Sequence, residues 1–421
     1  MGQSAPLIDA DKVHVAQYAI MLVEKRFLPL YSGLFGIFAL FGISMTVIGA
    51  TLPKIFADFG WSYTTAGAVI AAGSIGYFLS SYMAGIFLST VGLRLTISVA
   101  LLLIFVGLEF FAATSIPWLN MLLYFIVGIG QGGIELSVDW ATLRMEGPGG
   151  GRAMSLMHGA FSIGAFVGPL IIAILISAHL QWTLIYRGIG VLFLAIAIFM
   201  QFMPLAALGK DKGHAPGGSR RDLFRHPAYW LGFFALFVYV GVEMGISNWV
   251  AEYFVSVFKA PIPTGSFMVS LFWAGLLVGR FGAPFFQAVI KREKILVALS
   301  ALMAFSVIAL AVIGFVGTGR IASAIAAMLV IFAGLGCSII YPNVMSIIGD
   351  FFPHTQSEAV GFAAMGGGMG GFVFPYLMSA ISAAWGIRMG FMTYALFSLV
   401  IVVLNVSLVR AENRGGLAKD A

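Results

Sequence analysis

A chain of 421 residues that is 60% hydrophobic and only 10% charged, with a mean hydropathy of +1.01, cannot clothe a soluble surface, because soluble domains carry roughly 25% charged residues. The composition implies a polytopic membrane protein, and 52 Gly with 38 Phe suit helices whose small residues let backbones approach closely in lipid. The net charge of +6 does not point to nucleic acid, because its distribution follows the two sides of a membrane. The single cysteine, Cys337, excludes a disulfide framework and a cysteine-based metal site.

A membrane span needs roughly 20 apolar residues. Residues 1–28 carry acids and no small-residue cleavage site, so they are expected to be a cytoplasmic tail rather than a cleaved signal; within it, residues 13–27 suit either an interfacial helix or plain lead-in. Apolar runs between turn signals then predict helices over 29–56, 63–90, 94–114, 118–145, 152–178 and 182–204. After 205–227, a Gly, Pro, Ser and charge-rich stretch with linker composition, a second set is predicted over 228–256, 264–290, 294–316, 320–350, 357–384 and 388–410. The expected organisation is an all-α membrane protein of twelve transmembrane helices in two pseudo-symmetric six-helix bundles. These are an N-terminal bundle (29–204), a cytoplasmic linker (205–227), a C-terminal bundle (228–410) and a cytoplasmic tail (411–421).

Two short matches support duplication. Gly128-Ile-Gly aligns with Gly334-Leu-Gly, and Phe166-Val-Gly-Pro169 with Phe372-Val-Phe-Pro375, both at an offset of 206 residues. Charge sets the orientation. Seventeen of the 23 Lys and Arg residues lie in segments on the side of the N-terminus, and five, Lys54, Arg187, Lys259, Arg320 and Arg388, lie on the other. Basic loops stay cytoplasmic, so both termini are expected inside, in a cell membrane that is a bacterial inner membrane by this reading. Trp61, Trp118 and Trp182 fall near outer helix ends, where aromatic belts form.

Ionisable groups within spans are costly and are functional candidates by default. Glu135 and Asp139 lie roughly 15 and 9 Å from the cytoplasmic end of the fourth helix at 1.5 Å per residue, one turn apart and on one face with Gly128 and Gln131. A low dielectric disfavours two charges so close, so Glu135 suits a proton carrier that is neutral in one state and charged in another, or, with Asp139, a cation holder. The bland alternative is a permanently protonated packing residue. His158 enters the fifth helix at a similar depth; it suits a proton relay or a structural pair with Asp139. On the seventh helix Glu243 lies near mid-depth, with Asn248 and Trp249 farther out. Glu243 suits substrate binding or, alternatively, neutralising Arg280 of the eighth helix as a structural charge partner. Asn248 and Trp249 suit a polar ligand, through an amide that donates and accepts and a ring that stacks. Tyr341, Pro342 and Asn343 interrupt the tenth helix, where freed carbonyls face a cavity or mark a plain kink, and Asn343 joins the candidate substrate-binding residues. No phosphate-binding Gly-Lys-Ser/Thr loop occurs, and no enzyme constellation, cofactor or metal site is expected.

Several of these residues together resemble a known family. The layout of two sets of six is similar to the major facilitator superfamily across essentially the whole chain. His158, Phe161, Gly164, Ala165, Gly168 and Pro169, then Tyr239-Val-Gly-Val-Glu243 with Trp249, then Phe272-Trp273 with Gly279-Arg280, and Ser338 with Pro342 resemble its fucose/glucose-type sugar symporter branch. That resemblance implies proton- or sodium-coupled movement of a monosaccharide, with a fourth-helix carboxylate in coupling, a place that Glu135 fills, and with Trp273 beside Glu243 and Asn248 at the solute. Two departures stand out. The acid expected on the first helix is replaced by the polar Ser44 and Thr46, and the loop Gly85–Arg94 has Ser89 where the superfamily's Asp belongs.

The leading expectation is therefore a secondary active transporter of a small polar solute, a sugar first, working as a monomer in the lipid bilayer by alternating access. A drug or metabolite exporter is the alternative, since Gly164-x-x-x-Gly168-Pro169 resembles a proton-antiporter motif without the Gly pair that follows it. A non-transporting membrane sensor is the third.

Overall fold

The computed structural model describes residues 23, 25–145, 152–208, 223–287, 290–352 and 356–417. The polypeptide forms α1 (Leu28–Phe59), α2 (Tyr63–Thr90), α3 (Leu93–Phe110), α4 (Pro117–Met145), α5 (Arg152–Ser177) and α6 (Trp182–Gln201). The second half forms α7 (Pro227–Phe258), α8 (Ile262–Gln287), α9 (Arg292–Val316), α10 in two pieces (Arg320–Cys337 and Ile340–Phe351), α11 (Gln356–Trp385) and α12 (Ile387–Leu417). Eleven described spans are long and apolar enough to cross a bilayer. α2 is not among them, yet it packs most heavily against α4 and also against α11, as a member of the bundle. The tail through residue 22 and most of the expected linker lie outside the described residues.

Local chemistry accounts for the helix ends. Gly60 closes α1 in the left-handed region at φ 64°, which glycine enters at no steric cost, and Ser62 caps α2 by accepting from the Thr65 N–H at 3.1 Å. α3 stops four residues short of its expected end because Asn120 of α4 captures the turn. Its Oδ1 accepts from the Ala112 N–H at 2.7 Å, and its Nδ2 donates to the Thr114 and Ile116 carbonyls at 2.8 and 2.9 Å.

The interruption of α10 follows from proline chemistry. Pro342 has no N–H for the Ser338 carbonyl four residues earlier, and the helix breaks at Ser338 and Ile339. Two side chains take up the freed acceptors: Tyr239 Oη donates to the Cys337 carbonyl at 2.9 Å, and Arg280 Nε approaches the Ser338 carbonyl at 3.4 Å.

Each half packs by one scheme. In the first, α1 lies on α5, α2 on α4, and α3 on α4 and α6; in the second, α7 lies on α11, α8 on α10, and α9 on α10 and α12. The repeated glycines serve this scheme. A Cβ at Gly128 would strike the Gly73 carbonyl of α2, and one at Gly334 the Phe272 carbonyl of α8. Gly164 and Gly370, also 206 residues apart, abut the Ala39 carbonyl of α1 and the Phe237 carbonyl of α7. The halves meet through α2 with α11, α5 with α8, and α1 with α7 and α8.

Trp118 is 66% exposed, as a belt anchor would be, but Trp61 and Trp182 are buried. Their indole N–H groups are consumed internally, by the Ser115 carbonyl at 2.9 Å and by Asp58 Oδ2 at 2.7 Å. The belt expectation is therefore corrected for these two, whose polar handles bind protein in place of interfacial water.

Candidate functional site

The polar face of α4 is built one turn at a time. Gln131 Nε2 donates to Ser44 Oγ of α1 at 3.1 Å, which ties one of the two polar groups standing where an acid was expected. One turn farther, Glu135 Oε2 accepts from Tyr77 Oη of α2. One turn farther again, Asp139 Oδ1 lies 3.4 Å from His158 Nε2 of α5, and the His158 ring stands edge-on to Phe38 at 5.4 Å. Asp139 and His158 keep 27% and 39% of their side chains exposed. The three titratable groups thus separate into a phenol-bound carboxylate and a half-open acid–imidazole pair.

Across the interface between halves, Glu243 of α7 is 5% exposed, and its Oε1 lies 3.9 Å from Arg280 Nη2 of α8. That distance is long for a hydrogen bond, and Oε1 has no hydrogen-bond donor. Arg280 Nη1 instead donates to Ser162 Oγ of α5 at 2.9 Å. One guanidinium therefore faces Glu243, the broken helix α10 and the opposite half, a use that suits its rigid fork of donors. Trp273 of α8 donates to Ser247 Oγ at 2.8 Å and presents its ring to Phe161 of α5 at 5.6 Å.

Tyr341, at the start of the second piece of α10, lies within electrostatic reach of Glu135, Asp139, Glu243 and Arg280, and His158 within reach of Arg280. The two polar clusters share one field. Ser162 and Tyr341 stand at places where the sequence reading expects polar groups, on the fifth helix and in the break of the tenth, but nothing in the local sequence marks Tyr77 as a partner, since it gains its role only when α2 packs on α4.

Asn248 and Trp249 lie elsewhere. A Cβ at Gly49 of α1 would come within 2.9 Å of the Asn248 Cα, and Trp249, fully buried, packs against Phe56 and Tyr63 at 6.3 and 5.9 Å. Both occupy the closure between halves at the face remote from the chain termini. Asn343 is buried just past Pro342, and its backbone N–H donates to the Ile339 carbonyl at 3.0 Å. Cys337 is buried and free. Among the described residues no group of three or more His, Cys, Asp or Glu side chains is arranged to hold a metal ion.

The Major Facilitator Superfamily model matches residues 34–332 and 321–420. Among curated proteins the chain is 26% identical over 289 residues to a TsgA homolog of Edwardsiella ictaluri, covering 68% of this chain and 70% of that protein. It is 27% identical over 197 residues to a putative glucose/galactose transporter of Helicobacter pylori, covering 47% of this chain and 46%, slightly under half, of that protein. Among solved structures it superposes on the Escherichia coli fucose:proton symporter FucP with a TM-score of 0.63 at 20% identity, covering 91% of this chain and 99% of that one.

Proposed function

Because the chain belongs to the Major Facilitator Superfamily, a family of membrane transporters, we propose that it is a secondary active transporter moving a small polar solute, a sugar, by alternating access coupled to a proton gradient. The observation that carries this reading is the presence of two unlike carboxylates, one in each half. Glu135 already holds a hydroxyl donor, whereas the Glu243 oxygen facing Arg280 is buried with no hydrogen-bond donor. A buried acceptor without a donor is costly, and a solute hydroxyl supplies the missing one. Trp273 of the neighbouring helix donates to Ser247, one turn from Glu243, and an aromatic face in such a site suits a polyhydroxylated ring, whose C–H faces are apolar. The glucose/galactose name of the Helicobacter relative and the fucose named for FucP support the same solute class.

On this reading Glu135 carries the proton. Asp139 and His158, more open and nearer the end that bears the termini, form a second station on the proton's route or the fastening of the inner gate. The proton is preferred over sodium because the Glu135 oxygen facing α2 is engaged by a phenol and the Asp139 oxygen facing α5 lies against an imidazole, which leaves few open oxygens for a cation that takes several at once. Arg280 faces Glu243 and, through its bond to Ser162, links that site to α5. Asn248 and Trp249, closed against the other half here, reach the solute when the outer mouth opens. With termini on the cytoplasmic side of a bacterial inner membrane, as the basic loops favour, the conformation described is closed to the outside. Thermal-shift measurements on purified protein over a panel of sugars, carboxylic acids and amines, with and without sodium, test the solute class. Stabilisation by one or more monosaccharides is expected, whereas stabilisation only by hydrophobic amines would return the exporter reading.

A further inference from the structure

The outer mouth holds a charged group that none of the roles above uses. Glu252 lies nine residues beyond Glu243 on α7 and is 5% exposed. It shares a helix face with Trp249 and Ser256, at spacings of three and four. Its Oε1 accepts from Tyr63 Oη of α2, across the interface between halves, at 3.2 Å, and from Ser256 Oγ of its own helix. The Tyr63 and Ser256 hydroxyls lie 3.4 Å apart. Phe56 of α1 and Trp249 pack on the Tyr63 ring at 5.2 and 5.9 Å, so the carboxylate is walled by aromatic surface.

The other charged groups nearby are accounted for. Lys259, at the end of α7, acts on Glu252 from its own helix. From α2 the titratable neighbour is Tyr63 itself. On α1, Lys54 pairs with Asp58 at 3.3 Å, and Asp58 is turned to Trp182 of α6. Arg388 of α12 acts on Tyr253. A cavity of about 420 Å³ at this face is lined by Tyr63, Ser256, Lys259 and Arg388, so the two residues whose hydroxyls bind Glu252 also border it.

A hydrogen bond to an ionised acceptor is roughly twice as strong as a neutral one. The Tyr63–Glu252 contact joins the halves through a single carboxylate, so its strength depends on whether that carboxylate carries charge. We infer that Glu252 is a gating residue of the outer mouth: ionised, it holds Tyr63 and keeps α2 against α7, and protonated from the outer medium through the adjoining cavity, it releases them. The proton taken up at this point neutralises the carboxylate, and closure returns it to the medium. Glu252 is then a second proton-responsive group, placed at the gate, separate from Glu135 at mid-depth, and it makes opening easier on the acidic side.

The inference rests on the alternating-access reading, and the test separates the two. Spin labels at Thr114→Cys and Gly319→Cys, on outer loops of the two halves, report the width of the mouth. A Cβ at Gly319 meets no atom within 4 Å, and the buried Cys337 stays in place. Wild type is expected to show short and long distances, with the long population growing as the medium is acidified. Glu252→Gln should raise the long population about tenfold at neutral pH, the order expected for loss of one charged hydrogen bond, and blunt the response to acid. Tyr63→Phe, which keeps the ring packing, should shift the population in the same direction. Two variants indistinguishable from a wild type that does open would overturn the inference and leave the transporter standing. A wild-type mouth that shows one distance under every condition would overturn both.

Discussion

Arg280 is the side chain on which the second polar cluster depends. It lies 3.9 Å from a carboxylate that is 5% exposed, donates to Ser162 of the other half at 2.9 Å and reaches a carbonyl released by Pro342. Removing one member of such a pair leaves the other charge without its counterion, which costs more than the pair itself contributes. Because Arg280 keeps 23% of its side chain exposed, water and the two remaining acceptors soften that loss. Glu243→Ala is therefore expected to destabilise the protein by about 2 kcal/mol, and Glu243→Ala with Arg280→Met to recover most of it. Thermal unfolding in detergent of wild type and both variants checks this; equal melting temperatures for all three would show that the pair carries no stability. The pairing of Glu243 with Arg280 and of Asp139 with His158 is foreshadowed by charge and depth in the sequence. Tyr77 and Glu252 are not, because a tyrosine at the middle of an apolar helix and a glutamate near a helix end have ordinary explanations until the opposing helix is in place.

At the scale of single helices, the duplicated glycines are where the sequence pattern and the packing agree most closely. Gly164 and Gly370 hold equivalent places on α5 and α11, each against a backbone carbonyl of the helix that opens its half. A backbone atom cannot rotate aside as a side chain does, so a larger residue must push the helices apart. Gly164→Val and Gly370→Val are each expected to lower stability by about 2–3 kcal/mol. Gly36→Ala, where no atom lies within 4 Å of the added Cβ, is expected to be neutral or slightly stabilising. Melting temperatures of the three variants measure this, and a neutral effect at both Val positions would contradict the close approach. Helix boundaries were less legible. The end of α3 depends on Asn120, ten residues on, and the break in α10 falls at Ser338 and Ile339, before the proline that causes it, because a proline disables the carbonyl four residues upstream. Trp61 and Trp182 show the same limit, since their positions resemble belt anchors and only the fold reveals the internal acceptors that bury them.

Over the whole molecule, α8 connects the halves in the conformation described. Ser266 donates to the Ala50 carbonyl at 2.5 Å and Ser270 to the Phe166 carbonyl at 2.9 Å, Trp273 packs on Phe161, and Arg280 donates to Ser162. α1 meets α7 through Gly49 against Ser247 and Asn248 and through Phe56 against Trp249, all in the halves of those helices remote from the chain termini. On the proposed reading, a bundle closed at one end, with an acid–imidazole pair partly open toward the other, is one of the two end states that alternating access requires. The arrangement of two sets of six helices was legible from apolar run lengths and basic loops, which are composition effects. The state of the gates was not, because it depends on contacts between residues some 200 positions apart. The proposed coupling of solute movement to the proton gradient through Glu135 is decided by transport in reconstituted protein. Wild-type proteoliposomes should accumulate labelled monosaccharide several-fold above equilibrium when the outside is acidified. Glu135→Gln should lose that accumulation while still exchanging labelled for unlabelled sugar, and Asp139→Asn should retain much of it. Accumulation by Glu135→Gln that follows the pH gradient as wild type does would contradict the claim.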